Sequence, residues 1–216
     1  MSSPSIAIPP TQRAIIAGQD GDFKISNDVL VAELEPHLIL IKNVAVALNP
    51  VDTKLVGDFV RPGVMFGFDC AGVVVAVGSA VERDIKPGDR VCGSADGMNH
   101  NRPSGGAFAE YVTLHSQLAL KIPESLSFEA AAALGTAIAS SAMALFWSLQ
   151  IPASLTTTPE EALHVLVYGG SSSTGTMVIQ LIKAYVQSCS FCAMSKTDLS
   201  YKMWTDTHYD LLAQEF

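Results

Sequence analysis

The run VLVYGGSSSTGTMVIQLIKA, Val165 to Ala184, constrains the fold of this chain more than any other stretch. An apolar, β-branched strand leads into a turn of glycines and small hydroxyls, and a helix-periodic run follows with Gly175 in its first turn. Such a unit aims backbone amides and the positive end of a helix dipole at a phosphate, which is how a dinucleotide is held. Yet only 32 of the 216 residues lie beyond Ala184, and their strand-helix pattern dissolves. A doubly wound nucleotide domain needs several βα units to form both halves of its crevice. The sequence therefore predicts a domain begun and left incomplete, with the apolar faces of its strand and helix poorly covered.

The residues before this unit read differently. Short apolar runs alternate with turns: HLILIKNVAVAL (His37 to Leu48), CAGVVVAVGSAV (Cys70 to Val81), KPGDRVCG (Lys86 to Gly93) and GAFAEYVTLHSQLALKI (Gly106 to Ile122). Strands of this length and spacing predict a small barrel. The character changes at SFEAAAAL, where Ser127 is placed as an N-cap and Glu129 sits in the first turn. Gly135 interrupts, and a second apolar helix is expected from about Thr136 to Leu149. QIPASLTTTPEEA (Gln150 to Ala162) reads as a loop. The fold class is α/β, divided into a barrel domain at 1–126, an apolar helix pair and linker at 127–160, and a nucleotide-binding segment with a divergent tail at 161–216.

Composition narrows the function. A hydrophobic share of 49% with 16% charged residues argues for a packed core rather than disorder. The net charge of −8 and the lack of any Lys/Arg run argue against a nucleic-acid or anionic-membrane partner. Ala130 to Leu149 carries no charge over about the length of a membrane span. Its Ala, Ser, Thr and Gly content suits tight helix packing better than transfer into lipid. The start, MSSPSIAIPPTQRA, lacks the basic and apolar regions of a signal peptide. Cys70, Cys92, Cys189 and Cys192 are too scattered for a disulfide scaffold and read as reduced thiols. Cys189-Ser-Phe-Cys192 has metal or redox spacing without a second ligand pair.

GFDCAGVVVAVGSAVERDIKPGDRVCG (Gly67 to Gly93), NPVDTKLVG, GAFAEY, the apolar helix pair and VLVYGGSSSTG come in an order that resembles the medium-chain dehydrogenase/reductase superfamily. The resemblance runs from about Ala14 to Ala184. It implies a GroES-like β-barrel followed by the first βα unit of an incomplete Rossmann domain. Asn49 and Phe68 stand where zinc-dependent members carry a Cys and a His, and neither side chain can replace those ligands. The likeness is thus to the zinc-free branch, with no metal. Within it, ALNPVDTKL, AALGTAIASSAMALF and VYGGSSSTG look most like the trans-acting enoyl reductases of fungal polyketide pathways. Those cytoplasmic enzymes use NADPH to reduce an enoyl thioester on the carrier domain of a polyketide synthase or synthase–peptide synthetase hybrid. A monomer is implied.

The resemblance also assigns residues. Ser171, Ser172, Ser173, Thr174 and Gly175 would meet the cofactor phosphates; the bland reading is a serine-rich loop. Val51, Asp52, Thr53 and Lys54 occupy the loop that meets the nicotinamide end. Asp52 there caps a turn or faces the cofactor, while Lys54 either pairs with a phosphate or the thioester oxygen or is an exposed lysine. Ser140 stands in for the family's threonine and bonds either the nicotinamide amide or a backbone carbonyl one turn back. Lys54 and Ser140 are the expected catalytic pair. Ser141, Ala142, Met143, Ala144 and Leu145 would line the substrate tunnel, though their small size also fits helix packing. His100 and His115 fall in no catalytic motif, which leaves α-carbon protonation to solvent. Ser195-Lys196 falls near the expected phosphate-selecting loop. Three functions remain open: a trans-acting enoyl reductase, a stand-alone zinc-free quinone or alkenal reductase, and a non-catalytic remnant.

Overall fold

The computed structural model describes residues 7–20, 22–54, 61–152, 163–185, 189–195 and 198–204. The chain forms two compact units, Met1–Thr136 and Ala137–Phe216. In the first, β1 (Thr11–Ala17) pairs antiparallel with β2 (Phe23–Leu30). A five-stranded antiparallel sheet holds β3 (Leu38–Ala47), β4 (Asp69–Val77), β5 (Arg90–Ser94), β6 (Tyr111–His115) and β7 (Leu120–Lys121) in the order β6-β3-β4-β5-β7. Strands β3 to β7 each overlap a run read as a strand from the sequence, while β1 and β2 lie outside those runs.

Strand β3 explains how the sheet bends. Leu38 to Ile41 are buried in succession, whereas the rest of the strand alternates between exposed and half-buried positions. Its register with β4 shifts between Leu40 and Ile41 and again between Asn43 and Ala45, and such irregularities increase twist and bend a strand. Ile39, Ile41, Val74, Val91, Val112 and Leu114 form the core beneath it. Isolated bridges, Ala14 to Ala109 and Ile16 to Met65, join the β1–β2 ribbon to the body of the unit. Phe66, fully buried, packs its ring 4.5 Å from that of Phe23. This is the GroES-like barrel.

The apolar stretch after the barrel is broken, not continuous. By length and composition alone Phe128–Ser148 could cross a membrane. It is divided into α2 (Phe128–Ala132), α3 (Gly135–Ala142) and a π-helical stretch, Met143–Ser148. Ser127 caps α2 by accepting from the Ala130 amide at 3.2 Å, as the sequence predicts. Ala131 and Ala132 are fully buried against Ala71 and Cys92. Gly135 opens α3 where there is no room for a side chain: a Cβ there would lie 2.5 Å from the Gly93 carbonyl carbon. The helix expected from about Thr136 to Leu149 changes its winding at Met143, and the Leu149 N–H reaches the Ala144 carbonyl at 3.0 Å.

In the second unit, β8 (Leu163–Tyr168), α4 (Ser173–Tyr185) and β9 (Cys189–Ser195) make a βαβ unit, with β9 parallel to β8. A further strand, β10 (Asp198–Trp204), runs antiparallel to β9, giving the order β10-β9-β8. The expectation that the pattern ends near Ala184 is corrected here: it continues for one parallel strand and a hairpin partner. Lys196 and most of the Gln150–Ala162 loop fall outside the described residues. Leu145, Val167 and Ile182 form the local core, with Phe146, Val165, Val178 and Ile179 packed on it. Val178, Ile179 and Ile182 recur at helical spacing, so one face of α4 is buried. The covering is one-sided. Leu166 and Tyr168 on β8 are each 67% exposed, although strands of parallel sheets are normally buried on both faces.

Candidate cofactor and reduction site

The glycine turn is held by one serine. Gly169 has φ +82°, a conformation that glycine adopts without a Cβ penalty. Its carbonyl accepts from the Ser172 amide at 2.9 Å and from the Ser172 hydroxyl at 2.8 Å. The same hydroxyl accepts from the Gly175 amide at 3.1 Å, so Ser172 is the N-cap of α4. Thr176 donates its hydroxyl to the Gly170 carbonyl at 3.1 Å. A Cβ on Gly175 would lie 2.2 Å from the Gly169 oxygen, so helix and turn meet there with no room for a side chain.

That arrangement uses the Gly175 amide for the cap and leaves those of Ser173 and Thr174 to the first turn, where helical N–H groups lack partners within the helix. Ser171, Ser172, Ser173 and Thr174 are all exposed. Two amides without a hydrogen-bond partner among the described residues and small exposed hydroxyls thus lie at the positive end of a thirteen-residue helix, an arrangement able to receive an anion. The side chains present suit the phosphate part of a dinucleotide.

The serines of α3 take unequal places. Ser141 is fully buried and donates to the Thr174 carbonyl at 3.1 Å, tying α3 to the first turn of α4. Ser140 is exposed. Leu145 is buried in the local core at 1% exposure, Ala142 is half-buried, Ala144 is exposed, and Met143 is 64% exposed. Of the five residues expected along a substrate tunnel, Ser141 and Leu145 are occupied with packing inside this unit.

In the first unit, Val51 to Lys54 form α1 (Pro50–Lys54), a single turn. Asp52 is buried and accepts from the Asn49 amide at 2.6 Å, which stabilises the turn. Burial pushes the Asp52 carboxyl above its ordinary value, the Asn49 hydrogen bond opposes this, and the nearby Asp69 charge adds to the rise. Thr53 donates to the Pro50 carbonyl, and both Thr53 and Lys54 are exposed.

One buried carboxylate beside this turn was missed in the sequence: Asp69, 1% exposed at the start of β4. It accepts from the Asn49 side chain at 2.8 Å and from the Thr136 amide and hydroxyl at 2.7 and 2.8 Å. The available signal was a carboxylate leading an otherwise apolar β-branched run, since a buried Asp demands partners. Burial raises the Cys70 thiol far above its ordinary value and the Cys92 thiol to about 11. His115 is engaged locally, its Nδ1 accepting from the Gln117 amide, and its ring stacks on His37.

A barrel of this topology is followed in the chain by a glycine-turn βαβ unit. Residues 35–124 of the chain match the alcohol dehydrogenase GroES-like domain, and its barrel followed by a glycine-turn unit resembles the medium-chain dehydrogenase/reductase arrangement. Its sequence is similar to fungal trans-enoyl reductases. It is 54% identical to buaC of Petromyces alliaceus over 94% of this chain and 57% of that protein. It is 45% identical to milB of Cordyceps militaris over 82% of this chain and 50% of that protein. The chain thus spans about half the length of the curated relatives it matches. Among solved structures, the quinone oxidoreductase of Coxiella burnetii superposes with a TM-score of 0.62 at 27% identity, over 87% of this chain and 57% of that one.

Proposed function

We propose that this chain is of the trans-acting enoyl reductase type, using NADPH to reduce the α,β double bond of a polyketide thioester carried by a partner synthase in the cytoplasm. The observation that carries the reading is the turn at Gly169–Gly175. A serine cap and a side-chain-free contact present the amides of Ser173 and Thr174 at a helix N-terminus. Its similarity to named trans-enoyl reductases supports the substrate class. When bound, NADPH would supply the hydride. The residues of this chain do the rest: Ser173 and Thr174 bind phosphate through their amides, with the Ser171 and Ser173 hydroxyls beside them. Lys54 offers an ammonium to the thioester oxygen, where negative charge builds as the β-carbon is reduced. Ser140 offers its hydroxyl to the nicotinamide carboxamide, and water protonates the α-carbon.

The test is titration of the purified chain with NADPH, and with NADH as control, followed by turnover of an enoyl thioester on a carrier domain against a free quinone. NADPH-selective binding with carrier-dependent turnover supports the reading. Turnover of the quinone alone would make the chain a stand-alone reductase. One observation favours a non-catalytic form: the outward face of β8, with Leu166 and Tyr168, has no cover within the described residues. A folded chain that binds neither nucleotide would establish that form.

A further inference from the structure

We propose that Asp69 is a positioning residue that anchors the Asn49–Lys54 segment, and with it Lys54, to the barrel. Helix α1 has five residues and cannot hold its own shape. Within the segment, Asp52 caps the turn through the Asn49 amide, but that bond closes on itself and fixes nothing to the sheet. Among the described residues the hydrogen bond that leads outward is that of the Asn49 side chain, which donates to Asp69 Oδ2 at 2.8 Å.

Asp69 is suited to be the fixed end. It stands on β4, opposite Ser94 of β5, in the middle of the five-stranded sheet. Its other oxygen receives the Thr136 amide and hydroxyl, and the Thr136 hydroxyl lies 3.1 Å from that of Ser94. Because Thr136 Oγ1 donates to the carboxylate, Ser94 donates to Thr136, and the hydroxyls form a directed chain ending on Asp69. Among the described residues no Lys or Arg pairs with Asp69. Its charge is met by three hydrogen-bond donors alone, and hydrogen bonds to a charged group are the stronger kind. Gly135 permits the approach: a Cβ there would lie 2.7 Å from Asp69 Oδ1.

The consequence for Lys54 rests on the functional reading above, but the anchor itself does not. Hydrogen exchange resolved to short peptides tests the anchor on the full chain. Asn49→Ala removes the outward link and leaves Asp69 bonded to Thr136. Exchange of the amides from Asn49 to Lys54 is expected to accelerate about tenfold or more, while β3, β4 and β6 keep their protection. Asp69→Ala should loosen Thr136 as well. Asp69→Asn should restore most of the protection, because the Asn49 amide can turn its oxygen toward the new NH2 group and Thr136 still finds an acceptor. Unchanged exchange over Asn49–Lys54 in Asn49→Ala overturns the proposal, even if Asp69→Ala fails to fold. NADPH titration of the same variants is the second arm. Weaker binding that tracks the loosened segment extends the anchor's role to the cofactor. A wild-type chain that binds no NADPH refutes the functional reading, and the exchange result still decides the anchor.

Discussion

Replacing Gly175 with alanine tests the claim that α4 is seated on its own turn. The added Cβ would lie 2.2 Å from the Gly169 oxygen, 2.8 Å from its carbonyl carbon and 2.9 Å from Gly170 Cα. All three are backbone atoms, so no flexible side chain can swing away. Ordinary contact begins near 3.4 Å, which requires helix and turn to separate by about 1 Å. Overpacking of this kind costs about 1–3 kcal/mol. Alanine returns at most about 1 kcal/mol of helix propensity, and less in a first turn. The net expectation is a loss of about 1–2 kcal/mol, confined to the second unit. Both tryptophans of the chain, Trp147 and Trp204, fall in that unit, so urea unfolding followed by tryptophan fluorescence reports it directly. The same displacement moves the Ser173 and Thr174 amides, and NADPH affinity should fall about tenfold or more. A variant as stable as the parent, with unaltered affinity, would refute the seating of helix on turn and the phosphate cradle built from it.

Other perturbations have separate expected outcomes. Ser172→Ala removes both turn bonds made by its hydroxyl and should cost about 1 kcal/mol in the same fluorescence-monitored unfolding. Phe66→Ala, at a fully buried position, should destabilise the barrel by about 3–5 kcal/mol, read by circular dichroism during thermal unfolding. Asp52 titrates above its ordinary value when folded, so the native state holds that proton more tightly than the unfolded chain. Its contribution to stability therefore declines as pH rises from the unfolded value through the raised folded one, and the penalty is complete at neutral pH. Asp52→Asn removes this term, so its stability relative to the parent should improve from pH 4 to pH 7; a constant difference would refute the assignment. In a Cys189→Ser, Cys192→Ser background, Cys70 and Cys92, both buried with raised thiols, should react with a disulfide reagent at neutral pH only after unfolding.

What was legible in the sequence was local. The strands from His37 onward, the Ser127 cap, the break at Gly135 and the glycine turn follow from side-chain period, capping chemistry and steric freedom over a few residues. Two features escaped for the same physical reason. Cys189–Ser195 has no strand-like signal strong enough to stand alone, but β8 offers it an edge with unpaired N–H and C=O groups, and pairing supplies what propensity lacks. Asp69 looked like an isolated charge because its partners come from Asn49 and Thr136, far away in sequence.

The sequence by itself determined that a tight glycine turn leads from β8 into a helix, because Gly169, Gly170 and Gly175 set its backbone within seven neighbouring residues, whereas Ser172 stood out as its cap only in the structure. Only the tertiary structure decided which α3 serine is buried. Ser140 and Ser141 are chemically alike and adjacent, and no local rule separates them. The rotation of α3 on α4 turns Ser141 to the Thr174 carbonyl and leaves Ser140 exposed. That rotation follows from packing Leu145 with Val167 and Ile182, contacts that exist only once the strand and both helices have met.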